Sequence, residues 1–68
     1  MKNRLKQLRK AERLSQADLA KAFYLSKSAI CHYENGTRNI PNQLLIDFAE
    51  YFDASVDYLL GRNRPKRY

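Results

Sequence analysis

Apolar residues along the chain recur at helical spacing rather than strand spacing. Between about Asn3 and Arg13, Leu5 and Leu8 stand three apart in a run otherwise rich in charge, which predicts an amphipathic helix with a narrow apolar stripe. Leu19, Ala20 and Phe23 mark the inward side of a second helix, from Gln16 to about Phe23. Ile30 anchors a third, from Lys27 to about Glu34. In a fourth, Leu45, Phe48, Ala49 and Phe52 follow the i, i+3, i+4, i+7 rule and form a strong apolar face. No run alternates apolar and polar residues between turn signals, so strands are not expected.

Capping residues fall where this pattern starts and stops. Ser15 is placed to accept from the backbone N–H of Asp18, whose carboxylate sits in the first turn, while Leu14 and Leu19 occupy staple positions around the cap. Ser26, between Leu25 and Ile30, repeats the arrangement. Asn35 and Gly36 both tolerate the left-handed conformation that ends a helix. Pro41 opens the fourth helix. Ser55 caps a short fifth one, with Asp57 near its positive end and Gly61 just past its close. Five short helices with brief links imply an all-α fold, a compact five-helix orthogonal bundle. Residues 1–61 form its single domain, and 62–68 form a basic C-terminal tail containing Pro65, expected to be mobile.

With 68 residues, the chain is near the lower limit for folding without staples. A single cysteine, Cys31, permits no internal disulfide, and with one histidine it falls short of a structural zinc set. Packing must then supply the stability, which points to a reducing compartment such as bacterial cytoplasm. No metal or cofactor is expected. No stretch approaches the roughly 20 apolar residues of a membrane span. The basic N-terminus lacks an apolar signal core, which argues against export.

The net charge of +6 is unevenly spread. Residues 1–38 hold nine basic side chains against three acidic ones, whereas residues 39–61 hold four acids and no Lys or Arg. Four more basic residues follow from Arg62. One region suits a polyphosphate and another does not. Ordinary surface charge on a small basic domain would look the same.

The stretch from Gln16 to Asn35, QADLAKAFYLSKSAICHYEN, is the most informative. It holds two capped helices with a small Ala20 in the first and Ile30 in the second, followed by ENGTR and, near the end, LIDFAEYFDASVDYLLG. Over about Leu5 to Gly61 the chain resembles the phage repressor and Cro (XRE-type) helix-turn-helix family, whose fold is lambda repressor-like. The resemblance implies that the third helix lies in the major groove with its N-terminal residues at base edges.

The residues themselves point to the same helix. With Ile30 turned inward, Lys27, Ser28 and His32 share the outer face, and Ala29 lies near its edge. Lys27 can donate to guanine O6 or N7, Ser28 can pair with several bases, His32 can donate to a purine N7 or a phosphate, and Ala29 can touch a thymine methyl. Solvated surface roles for Lys27 and His32, and a first-turn backbone bond for Ser28, fit the sequence as well. Gln16 matches the family position that clamps a phosphate. Ser26, Asn35, Thr37 and Arg38 flank the third helix as further phosphate partners. For Asn35 and Gly36 a purely helix-ending role is an equal alternative. Arg9 and Glu34 match positions that pair across the first and third helices, either buried and structural or loose at the surface. Cys31 is expected to be a bystander, and Tyr33, Phe23, Phe48 and Phe52 to be core.

Two departures from the family pattern stand out. Tyr24 and Asp53 each occupy a place where glycine is usual, and a bulky residue with φ above zero at position 24 would be strained.

The expected function is sequence-specific binding of double-stranded DNA by a transcriptional regulator. A repressor is expected, cytoplasmic and nucleoid-associated in a bacterium or phage host. It would act as a homodimer, at least on DNA, at a palindromic operator with half-sites about 34–36 Å apart. Dimer contacts would come from the fifth helix and groups such as Tyr58 and Ile46. Alternatives are an antitoxin or restriction-modification controller of the same fold, with a protein partner, and an interaction module without DNA binding. No triad, phosphate loop or metal motif points to an enzyme.

Overall fold

The computed structural model describes residues 3–61. In chain order they form α1 (Leu5–Ala11), α2 (Gln16–Ala22), α3 (Lys27–Asn35), α4 (Asn42–Tyr51) and α5 (Val56–Leu59). No strand occurs among the described residues. The all-α bundle anticipated from the apolar spacing is the architecture found. The basic tail from Arg62, with its expected mobility, lies outside the described residues.

Side-chain caps start three of the helices. Asp18 N–H donates to Ser15 Oγ at 3.0 Å and Ser15 N–H donates to Asp18 Oδ2 at 3.0 Å, a reciprocal capping box at the start of α2. The Ser15 backbone N–H first, and the Ser15 hydroxyl second, hold the Asp18 carboxyl below the usual carboxylate range. Ser26 Oγ accepts from Ala29 N–H at 3.0 Å to open α3, and Ser55 Oγ accepts from Tyr58 N–H at 3.0 Å to open α5. Pro41, expected to be the first helical residue of α4, is instead its N-cap, because its ψ of 149° is still extended.

The helix ends share one device, a residue in the left-handed region. After α2, Leu25 N–H returns to the Ala20 carbonyl at 2.8 Å and Tyr24 N–H to the Lys21 carbonyl at 3.4 Å, the paired bonds of a Schellman motif. The same pair of bonds closes α1 around Arg13 and α4 around Asp53. Glycine takes this conformation after α3 and α5, at Gly36 (φ 77°) and Gly61 (φ 78°). Arg13 (φ 59°), Tyr24 (φ 57°) and Asp53 (φ 53°) adopt it at the cost an L side chain incurs there, about 1–2 kcal/mol each. Tyr24 thus keeps the backbone of a glycine turn despite its bulk.

Leu5, Leu19, Ile30, Phe48 and Leu59 are fully buried and draw one residue from each helix into a common centre. Each such side chain contributes about 1.5–3 kcal/mol by leaving water. Ala20 and Ala29 lie in the same cluster, and their small size lets α2 and α3 cross closely. Ile40, in the link before α4, is also buried. Phe23 and Phe52, expected inside, are half-buried at the rim, where the Phe23 ring meets Phe48 edge-on at 4.7 Å and Tyr51 at 5.1 Å.

The two ends of the bundle are tied together. Arg4 N–H donates to the Leu59 carbonyl at 2.7 Å, and its guanidinium lies 4.3 Å from the centre of the Tyr58 ring. Tyr58 and Ile46, the expected dimer groups, remain exposed.

Candidate nucleic-acid interface

The third helix is two-sided. Ala29, Ile30 and Tyr33 face the core, while Lys27, Ser28, His32 and Asn35 are exposed and Cys31 is half-exposed. The outer residues fall at helical spacing along one stripe of α3, and Ser26 begins it. Small Ala20 beneath and Ile30 at the centre fix the pitch at which the stripe is presented.

One residue expected on this surface is not there. Ala29 is only 7% exposed and belongs to the core cluster, so its methyl is unavailable to a thymine. The reason is rotational: Ala29 stands four before buried Tyr33 and next to Ile30, which places it on the inner stripe. Cys31 takes the place that Ala29 vacates. It lies three after Ser28 and four after Lys27, a spacing that marks it as outward, and its Sγ accepts a hydrogen bond from Asn35 Nδ2 at 3.4 Å.

Lys27 and Ser28 both stand exposed at the start of this stripe. His32 Nδ1 lies 2.8 Å from Thr37 Oγ1, and the Thr37 hydroxyl also reaches the His32 carbonyl at 3.3 Å. The hydroxyl has one proton, so the tautomer of His32 decides whether its Nε2 donates or accepts. Thr37 thereby orients the imidazole as well as standing at the surface.

Gly36, not Asn35, takes the left-handed position after α3. Asn35 remains the last helical residue, with its side chain exposed. Arg38 is exposed in the following link, its guanidinium 6.0 Å from the centre of the Tyr33 ring. Ser26 keeps its hydroxyl proton, because its oxygen acts as the acceptor in the cap.

Behind the stripe, Arg9 and Glu34 form a buried ion pair. Arg9 Nε lies 2.5 Å from Glu34 Oε2, with the side chains 9% and 1% exposed. Arg9 Nη2 donates to Oε1 at 3.3 Å, and Nη1 donates to the Leu14 carbonyl at 2.7 Å. Gln16 joins the same carboxylate, its Nε2 donating to Glu34 Oε1 at 3.0 Å. Pattern reading missed this link: Gln16 and Glu34 are 18 residues apart, and no local spacing signals such a bond.

The described residues hold no group of three or more His, Cys, Asp or Glu placed to bind a metal ion. No helix among them is long and apolar enough to cross a membrane.

Two capped helices crossing at small residues, with the second held against α1 by an ion pair and its outer stripe bare, define a helix-turn-helix unit. The chain belongs to the XRE-type helix-turn-helix family, whose "Helix-turn-helix" model matches residues 5–59. It is 41% identical over 58 residues to the uncharacterized HTH-type transcriptional regulator YobD of Bacillus subtilis, covering 85% of this chain and 52% of that one. It is 35% identical over 65 residues to the HTH-type transcriptional regulator AnsR of the same organism, covering 96% and 56%. Antitoxin PezA of Streptococcus pneumoniae is 28% identical over 60 residues, covering 88% and 38%. The chain spans about half the length of the Bacillus relatives it matches.

Proposed function

We propose that this chain is a non-catalytic, sequence-specific regulator of transcription that binds double-stranded DNA. It acts as a repressor, a homodimer on a two-fold symmetric operator, with α3 in the major groove. The observation that carries this reading is the division of α3 into a buried stripe and a bare polar one bearing Lys27, Ser28 and His32. Lys27 donates to guanine, Ser28 to a polar base edge, and His32 to a purine N7 or, in its other tautomer, accepts from an exocyclic amine. Gln16, Ser26, Asn35, Thr37 and Arg38 surround the stripe and serve the phosphates. The basic excess of residues 1–38 supplies the long-range attraction. A bacterial or phage-encoded protein of the nucleoid fits this role.

Selection from random duplexes at two salt concentrations tests it. Enrichment of a palindrome with an affinity that falls steeply as salt rises is the expected result. Absence of any salt-dependent duplex binding would instead favour an interaction module of the same fold.

The similarity to Antitoxin PezA supports a second reading, in which the same surface binds DNA and a protein partner tunes that binding. A restriction-modification controller of this fold would use the same contacts. Capture of one stoichiometric protein partner from the native host separates these from a stand-alone repressor.

A further inference from the structure

We infer that Glu34 is a positioning residue for DNA binding: its buried carboxylate sets which way the Gln16 side-chain amide faces, and so turns an N–H toward the phosphate backbone. The inference rests on the DNA-binding reading above and adds a residue that touches no DNA itself.

An ionised carboxylate only accepts hydrogen bonds. Glu34 Oε2 receives Arg9 Nε at 2.5 Å, and Oε1 receives Arg9 Nη2 at 3.3 Å and Gln16 Nε2 at 3.0 Å. As the carboxylate of that ion pair, Glu34 can only accept, which compels Gln16 to present its NH2 group rather than its carbonyl. One N–H of that group is spent on Oε1. The second is directed away from the carboxylate, at the first residue of α2, on the half-exposed side chain. From the other side, Arg9 Nη1 holds the Leu14 carbonyl two residues before Gln16, so the same guanidinium locates the backbone that carries the amide.

A glutamine at position 34 keeps the shape and reverses the rule. Its one oxygen goes to the shorter contact, that with Arg9 Nε, which leaves an NH2 where Oε1 was. Gln16 must then turn its carbonyl inward to accept, and an oxygen lone pair takes the place of the N–H offered to a phosphate. Glu34→Gln also removes a negative charge, which by itself tightens binding to a polyanion. A loss of affinity therefore runs against the electrostatic change.

The experiment is a double-mutant cycle on a mixed-sequence duplex of about 20 base pairs at low salt, since a phosphate contact needs no particular sequence. Gln16→Ala and Glu34→Gln are each expected to lose about tenfold in affinity, and the double variant no more than either alone. The slope of affinity against salt should not change, because no Lys or Arg is altered. Losses that multiply, or Glu34→Gln binding as tightly as the parent, overturn the inference. If the parent binds duplex and Gln16→Ala is neutral, this inference alone fails; if the parent binds no duplex, the DNA-binding reading fails with it.

Should Glu34→Gln not fold, the unaltered chain gives the answer by NMR. On adding duplex, the Gln16 Nε2 proton facing away from Glu34 is expected to shift more than its partner. Equal shifts, or none, overturn the proposal.

Discussion

Arg9 and Glu34 meet across α1 and α3 from positions 25 apart in the chain, and both charged groups are shut away from water. Each is satisfied: the guanidinium by Glu34 and the Leu14 carbonyl, the carboxylate by Arg9 and Gln16. Such a pair is worth little over a well-packed apolar alternative, but breaking it strands a charge in the interior. Its geometric effect is to fix α3 against α1.

Replacing Glu34 by Ala leaves Arg9 buried with no carboxylate, at an expected cost of about 3–5 kcal/mol. In a domain of this size that is a large share of the total stability. A urea melt should show the midpoint collapse or the folded baseline vanish. An unchanged midpoint would mean that the pair is loose in solution.

Tyr24 presents the opposite case, a substitution that should stabilise. The side chain is 97% exposed and its φ is 57°, so it bears the left-handed penalty with little burial in return. Tyr24→Gly relieves that penalty while giving back some unfolded-chain entropy, for a net gain of about 0.5–1 kcal/mol. The melting temperature should rise by several degrees, roughly 4–8 °C per kcal/mol at this length. A lower melting temperature would show that the tyrosine makes a stabilising contact at the turn.

Acid should weaken the capping box of α2. The Asp18 carboxyl is held below its ordinary value by the Ser15 backbone N–H first and the Ser15 hydroxyl second, with Lys21 adding a smaller pull. A carboxyl depressed in the folded state stabilises above its unfolded pKa of about 3.9, and that contribution is lost as pH falls through the lower folded value. Urea midpoints of the parent and Asp18→Asn should therefore differ by a constant amount near neutrality and converge below about pH 4. Parallel curves down to the acid limit would contradict the assignment.

Much of this architecture was legible in the sequence because its signals are local. Ser15, Ser26 and Ser55 announce helix starts within three residues of the groups they cap, and the i, i+3, i+4 spacing of Leu45, Phe48 and Ala49 is visible without a fold. What was lost depended on rotation or distance. The sequence puts Ala29 near the outer edge of α3, whereas the phase set by Ile30 and Tyr33 buries it and leaves Cys31 half-exposed. Arg13 gave no sign of its left-handed backbone, since arginine carries no turn signal; only the pair of bonds closing α1 reveals it. Ile40 sits in a link, where no periodicity marks it as core. The attachment of Gln16 to Glu34 is a tertiary contact that only the crossing of α2 and α3 creates.

In the proposed function, the outer stripe of α3 reads base edges while the residues around it hold phosphates. The most direct measurement compares Lys27→Ala, His32→Ala and Arg38→Ala on a selected duplex and on its single-base variants. Lys27→Ala and His32→Ala should each flatten the preference at a particular base pair, by about 1–3 kcal/mol, while Arg38→Ala weakens every duplex about equally and lowers the salt slope by about one. If all three variants lose affinity uniformly and leave the base preferences intact, α3 does not read the sequence.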